Sequence, residues 1–208
     1  LVVTSFNSIP YETILSVITP EGPFVTLDSY EIISDTNNNG MAEFDETINL
    51  QLLANNVGVD NANNVYASVS IDDPYISLLI SDVAFGDISA GESANSSSNI
   101  EFDIAHNVPD GHNAGFDALF SSDEYQWEGN FNVTIHAPIF TVSNPSFTDA
   151  GGDGVWDAGE SINVVVLLNN EGSADHWMYP GVYLSENSDD ASIEDGMEFF
   201  WFYGIESG

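Results

Sequence analysis

The chain of 208 residues has no lysine, no arginine and no cysteine. Without cysteine there is no disulfide framework and no thiolate metal site. Without basic side chains the chain has nothing to displace phosphate counterions, so nucleic acid is excluded as a partner. Attraction to anionic lipid surfaces fails for the same reason. Lysine Schiff bases, P-loop lysines and arginine phosphate clamps are excluded as well. No apolar run reaches the ~18 residues of a membrane span, so no membrane insertion is expected. What is present is 34 acidic residues, a formal charge of −34, and 43% hydrophobic residues including 13 Phe, 8 Tyr and 4 Trp. That apolar content suffices for a packed core and distinguishes the chain from an acidic disordered tail. It begins at Leu1, as expected of a processed product or a fragment.

Alternation is the dominant periodicity. Ile48, Leu50 and Leu52 interleave with Asn49 and Gln51, and Val65, Ala67, Val69 and Ile71 with Tyr66, Ser68 and Ser70. The same pattern runs through Ile100–Ile104, Phe131–Ile135 and Ile162–Leu168. Period-2 runs separated by Asn, Asp, Gly and Pro clusters predict half-buried antiparallel strands. The expected class is all-β, built as sandwiches of two packed sheets.

The chain also repeats itself. The stretch Asp35 to Ile48 returns as Asp149 to Ile162, 114 residues later. Asn55-Asn56-Val57-Gly58 is answered by Asn169-Asn170-Glu171-Gly172, and Ile88–Gly91 by Ile205–Gly208. The sequence divides into an N-terminal strand segment (1–22), a first module (23–139) and a second, incomplete module (140–208). Residues 11–20 resemble 127–138, the last strand of the first module. One expectation is an arbitrary window on a longer tandem array. The other is a donor strand: residues 1–20 insert into the incomplete module of the next subunit, with Ile14, Val17 and Ile18 as subunit contacts. Such a head-to-tail contact joins copies of the chain into a homopolymer.

The repeated stretch carries a twelve-residue calcium-loop spacing. Asp35, Asn37 and Asn39 take positions 1, 3 and 5, with Gly40 at the sharp turn. Met41 offers its carbonyl at position 7, Glu43 lies at position 9, and Glu46 takes the bidentate position 12, with Asp45 beside it. Calcium wants six to eight hard oxygens in flexible geometry, which this mixture supplies. In the second copy Asp149, Asp153, Val155 (through its carbonyl), Asp157 and Glu160 fit, but Gly151 leaves position 3 without a side chain. Helical flanks are missing at both loops, so they are expected to lock strand connections, with calcium as the cofactor.

These loops, followed by N-N-x-G, Asp72-Asp73-Pro74-Tyr75, Phe85-Gly86-Asp87-Ile88-Ser89-Ala90-Gly91 and Val108-Pro109-Asp110-Gly111-His112, resemble immunoglobulin-like β-sandwich repeats of bacterial secreted and surface proteins. Those include gingipain-associated and CARDB-like adhesion modules. The resemblance implies tandem immunoglobulin-like sandwiches, an extracellular or cell-surface location and a non-catalytic scaffold role. It covers 24–138 well and 140–208 in part. The expected function is a calcium-stabilised subunit of a surface fibre. The alternative is an accessory module of a larger secreted enzyme or adhesin.

Other candidates are weaker. His106, His112, His136 and His176 show no metal-ligand spacing, and no G-x-S-x-G elbow exists. The run Phe199–Tyr203 is expected to be a buried strand or a subunit contact before a sugar platform. Asn95 and Asn132 match the glycosylation acceptor pattern, so glycans are possible partners. A chain without Lys or Arg also offers trypsin-like proteases no cleavage site, which suits an exposed fibre.

Overall fold

The computed structural model describes residues 2–3, 9, 11–12, 14, 21–176, 181–187, 189–194 and 198–208. Among them there is no helix, and every strand pairs antiparallel with its neighbours, so the fold is all-β. Near the N-terminus, β1 (Val2–Val3) pairs with β2 (Tyr11–Glu12).

The first sandwich is built from β3 (Val25–Ser34), β4 (Thr47–Asn56), β5 (Ala62–Ser70), β6 (Ile76–Ile80), β7 (Asp82–Ile88), β8 (Ser93–Asn95), β9 (Ile100–Ile104), β10 (His112–Ser121) and β11 (Gln126–Ile135). One sheet runs β3-β4-β9-β6, with β8 also pairing to β4; the other runs β11-β10-β5-β7. In immunoglobulin terms the first is A-B-E-D and the second G-F-C with β7 flanking it. The alternation read from the sequence is realised residue by residue in β4, where every second side chain is buried. Ile48, Leu50 and Leu52 point into the core, where Phe116 stacks on Phe131 at 4.9 Å and meets Phe102 at 5.1 Å.

The remainder forms two short ribbons. β12 (Phe140–Asp149) pairs with β13 (Ile162–Asn170), and β14 (Gly181–Tyr183) pairs with β15 (Phe199–Trp201). The first ribbon reproduces β3–β4 and the second reproduces β5–β7. Among the described residues, nothing stands where β9, β10 and β11 stand in the first sandwich. The exposure follows directly: Val164 and Val166, the counterparts of fully buried Leu50 and Leu52, are 54% and 37% exposed. The aromatic run at 199–203 includes a strand, as the sequence suggests, but Trp201 and Tyr203 are exposed rather than buried.

The repeat extends to individual hydrogen bonds. Asn56 Oδ1 accepts from Phe24 N (3.0 Å) and Gly58 N (3.1 Å), while its Nδ2 donates to Asp60 O (2.8 Å) and Ile88 O (3.0 Å). Asn170 does the same with Ile139 N (3.0 Å), Gly172 N (3.1 Å), Ala174 O (2.8 Å) and Ile205 O (3.3 Å). Glycine is required after each clamp. A Cβ on Gly58 would collide with the backbone of Gly22–Phe24, and one on Gly172 with that of Ala137–Ile139.

Candidate cation-binding loops and the joint between the halves

The first carboxylate loop joins β3 to β4. Asp35 Oδ1 accepts from Asn39 N (3.0 Å) and its Oδ2 from Gly40 N (2.9 Å), closing the turn around Gly40 at φ 81°. At the far end Glu46 accepts from Asn37 N and Glu43 N, both at 3.2 Å. The loop therefore buries three carboxylates: Asp35, Glu43 and Glu46 are 8%, 3% and 2% exposed. Burial, together with the charges of Glu43 and Asp35, pushes the Glu46 carboxyl above its ordinary range, against the opposing pull of two backbone N–H groups. Asp45 is exposed, on a left-handed backbone at φ 59°, and stands apart from this group.

Side chains of the sequence-predicted set converge on Glu43. Asn37 Nδ2 and Asn39 Nδ2 donate to Glu43 Oε2 at 2.5 and 2.8 Å. A half-turn of either amide would present an oxygen at the same place. No three acidic or histidine side chains among the described residues form a metal-holding group by themselves. Calcium does not require one, because amide and main-chain oxygens complete its shell. Asp35, Asn37, Asn39, Glu43, Glu46 and the Met41 carbonyl thus fit the ion by donor type, and the buried, like-charged trio gives it electrostatic reason to bind.

The second loop copies the backbone pattern and leaves it open. Asp149 accepts from Asp153 N (3.1 Å) and Gly154 N (3.3 Å), and Glu160 accepts from Asp157 N (3.2 Å). Desolvation raises the Asp149 carboxyl, but main-chain N–H groups together outweigh it and hold the group below the usual range. Asp153, Val155 and Asp157 are exposed. Glu160 Oε1 reaches into the space a Cβ on Gly151 would occupy, so position 3 is filled from the wrong residue.

Of the other sequence-predicted sites, Asn95 and Asn132 are exposed on β8 and β11. Ile14 is 93% exposed. Val17 and Ile18 lie outside the described residues.

One cluster escaped the sequence reading. The first loop lies against the connection between the two halves: Phe44 N donates to His136 O, and His136 N to Ala42 O, both at 2.9 Å. Asp110, from the β9–β10 loop, accepts from Ala137 N at 2.9 Å and from the Ser173 hydroxyl, and His136 Nδ1 meets that hydroxyl at 2.6 Å. The rings of Phe44 and Phe140 flank His176 at 5.4 and 5.3 Å. Ser, His and Asp are together here, but not as a proton relay. In a relay the carboxylate orients the imidazole and the imidazole takes the hydroxyl proton. Here the hydroxyl donates to the carboxylate. The cluster is a tie between the halves, invisible in sequence because its members come from separate loops.

Burial raises the Asp110 carboxyl, but donors from Ser173, Ala137 and Gly111 outweigh it and hold the group below its ordinary range. A lowered carboxyl stabilises the fold above the unfolded value of ~3.9, and the contribution is lost as pH falls through the lower folded value. Asp110→Ala is expected to lower the opening free energy of the Ala137 and Ser173 amides by about 1–3 kcal/mol, read by hydrogen exchange. Exchange unchanged from the parent would show that the tie carries nothing.

No protein-family model matches the chain, and no curated protein matches it. Among solved structures, it is similar over 55% of its length to a family 123 glycoside hydrolase from Clostridium perfringens, at 13% identity and a TM-score of 0.30, spanning 28% of that chain. It is also similar to a chaperone–tip adhesion subunit pre-assembly complex from archaic chaperone-usher Csu pili of Acinetobacter baumannii, at 11% identity and a TM-score of 0.23. That likeness covers 81% of this chain and 85% of the other. Both likenesses are too distant to bear on function.

Proposed function

We propose that the chain is a non-catalytic, extracellular structural protein: a calcium-stabilised subunit of a surface fibre, joined head to tail by strand complementation. One observation carries this reading. The same loop-and-sheet pattern is built twice, once as a closed sandwich and once as a half whose apolar face is open to solvent. An open sheet edge over an exposed core is costly until a strand arrives. The buried trio of the first loop supports the calcium component, and extracellular modules bind the ion with dissociation constants on the order of 10⁻⁴–10⁻³ M.

Saturation about a hundredfold above that constant adds about 2.7 kcal/mol, or roughly 5–10 °C for a chain of this size. A chelator is therefore expected to lower the melting temperature by that amount, and Glu46→Gln to remove most of the difference between calcium and chelator. A melting temperature indifferent to calcium would eliminate the metal from this account. Assembly is read separately, by sedimentation.

A second reading has its own support. Residues 11–20 resemble β11, and β11 pairs with β10 along its full length. No counterpart of β10 stands among the described residues of the second half. Further strands of a longer polypeptide would supply both together, and the chain would then be an accessory spacer of a larger secreted enzyme or adhesin.

A further inference from the structure

We infer that the acceptor site for the complementing strand is the free edge of β13, and that its occupant is the uncharged N-terminal stretch Thr13–Thr19 of a second copy. This rests on the fibre reading and adds to it a place for the strand. Sequence resemblance alone would put that stretch where β11 lies, but among the described residues of the second half no counterpart of β10 stands to pair with it. β13, by contrast, offers an edge whose counterpart in the first sandwich is covered by β8 and β9.

The first sandwich shows how such an edge is covered. β9 lies antiparallel on β4, with Phe102 opposite Ile48 and Ile100 opposite Leu50. Farther along the same edge β8 continues the pairing, with Asn95 opposite Leu53 and Ser93 opposite Asn55. At the repeat offset these positions become Ile162, Val164, Leu167 and Asn169. Among the described residues β13 pairs with β12 alone; its far end is taken where Gly208 N donates to Asn170 O at 3.1 Å, so this edge stays open from Ile162 to Asn169. Ser161–Asn170 contains no acidic residue and is dominated by Val, Leu and Ile. A long, uncharged, β-branched edge is a template for another strand.

Charge selects the occupant. Each copy carries −34, so most of one chain repels most of another. Residues 1–20 contain a single acid, Glu12, and Thr13–Thr19 reads Thr-Ile-Leu-Ser-Val-Ile-Thr. Ile14 within it and Ile9 just before it are left in solvent within their own chain, each 93% exposed. Donor and acceptor are thus two uncharged segments whose described apolar side chains are largely exposed in one molecule. Antiparallel addition pairs their backbones and brings Leu15 and Val17 over Val164 and Ile162, with Ser16 opposite Asn163.

The absence of cysteine makes engineered cross-links unambiguous. Full-length Asn163→Cys is mixed with Ile14→Cys or Ser16→Cys under oxidising conditions, and Thr148→Cys on β12 replaces the acceptor in a parallel set. Disulfides form only where Cα atoms come within about 7 Å. The expected result is an interchain cross-link at 163, running as a doubled mass without reductant. Assembly with cross-links at 148 instead, or with none at either position, overturns the acceptor edge while leaving the fibre reading intact. A chain that stays monomeric throughout, including one in which the β13 amides are protected from exchange, overturns both.

Discussion

Phe116→Ala is expected to destabilise the chain by about 3–5 kcal/mol, the range for emptying a large aromatic site in a close-packed core. Phe116 is 1% exposed, and its ring lies nearly parallel to Phe131, at 5°, while tilting against Phe102. Those neighbours come from β9 and β11, one on each sheet, so the ring bridges the sandwich. Neither flanking strand can collapse into the space without breaking its ladder, so much of the cavity persists. Denaturant unfolding measures the loss. A change under about 1 kcal/mol would mean the site closes freely, and that the sheets are not held apart as described.

Asn56→Ala is the second large effect, expected at about 2–4 kcal/mol. Alanine fits the space, but four main-chain groups lose their partner at once: Phe24 N, Gly58 N, Asp60 O and Ile88 O. Asn56 itself is fully buried, and each abandoned buried polar group costs about 1–3 kcal/mol unless water replaces the amide. Asn56→Asp tests the same clamp differently. It keeps the acceptors toward Phe24 and Gly58 but loses both donors and buries a charge, so it should be no milder than alanine. If either variant melts with the parent, the clamp is incidental. The corresponding change at Asn170 should destabilise less, because its half of the molecule has fewer neighbours to hold in place.

Strand positions were legible because period-2 alternation reports one buried face directly, as in β4. The turn geometry of the carboxylate loops was legible because the Asp, Asn and Gly residues that close it are local in sequence. What escaped was whatever depends on distant segments meeting. Alternation at Ile162–Leu168 predicts a half-buried strand, yet β13 carries five consecutive exposed residues. The face is apolar by design of the repeat, while its cover is a matter of what packs on it. The Asp110–Ser173–His136 tie is hidden for the same reason, as is the contact of Phe44 with His176. The Asn clamps were visible only as a repeated N-N-x-G. Their chemistry required knowing that the turn brings four main-chain groups around one amide.

The central claim is that this chain is a calcium-stabilised subunit that joins to copies of itself. Sedimentation velocity of the intact chain in millimolar calcium, across a range of protein concentrations, tests it most directly. The account predicts species that grow in mass with concentration. A single particle of 22.5 kDa at every concentration in calcium would contradict it.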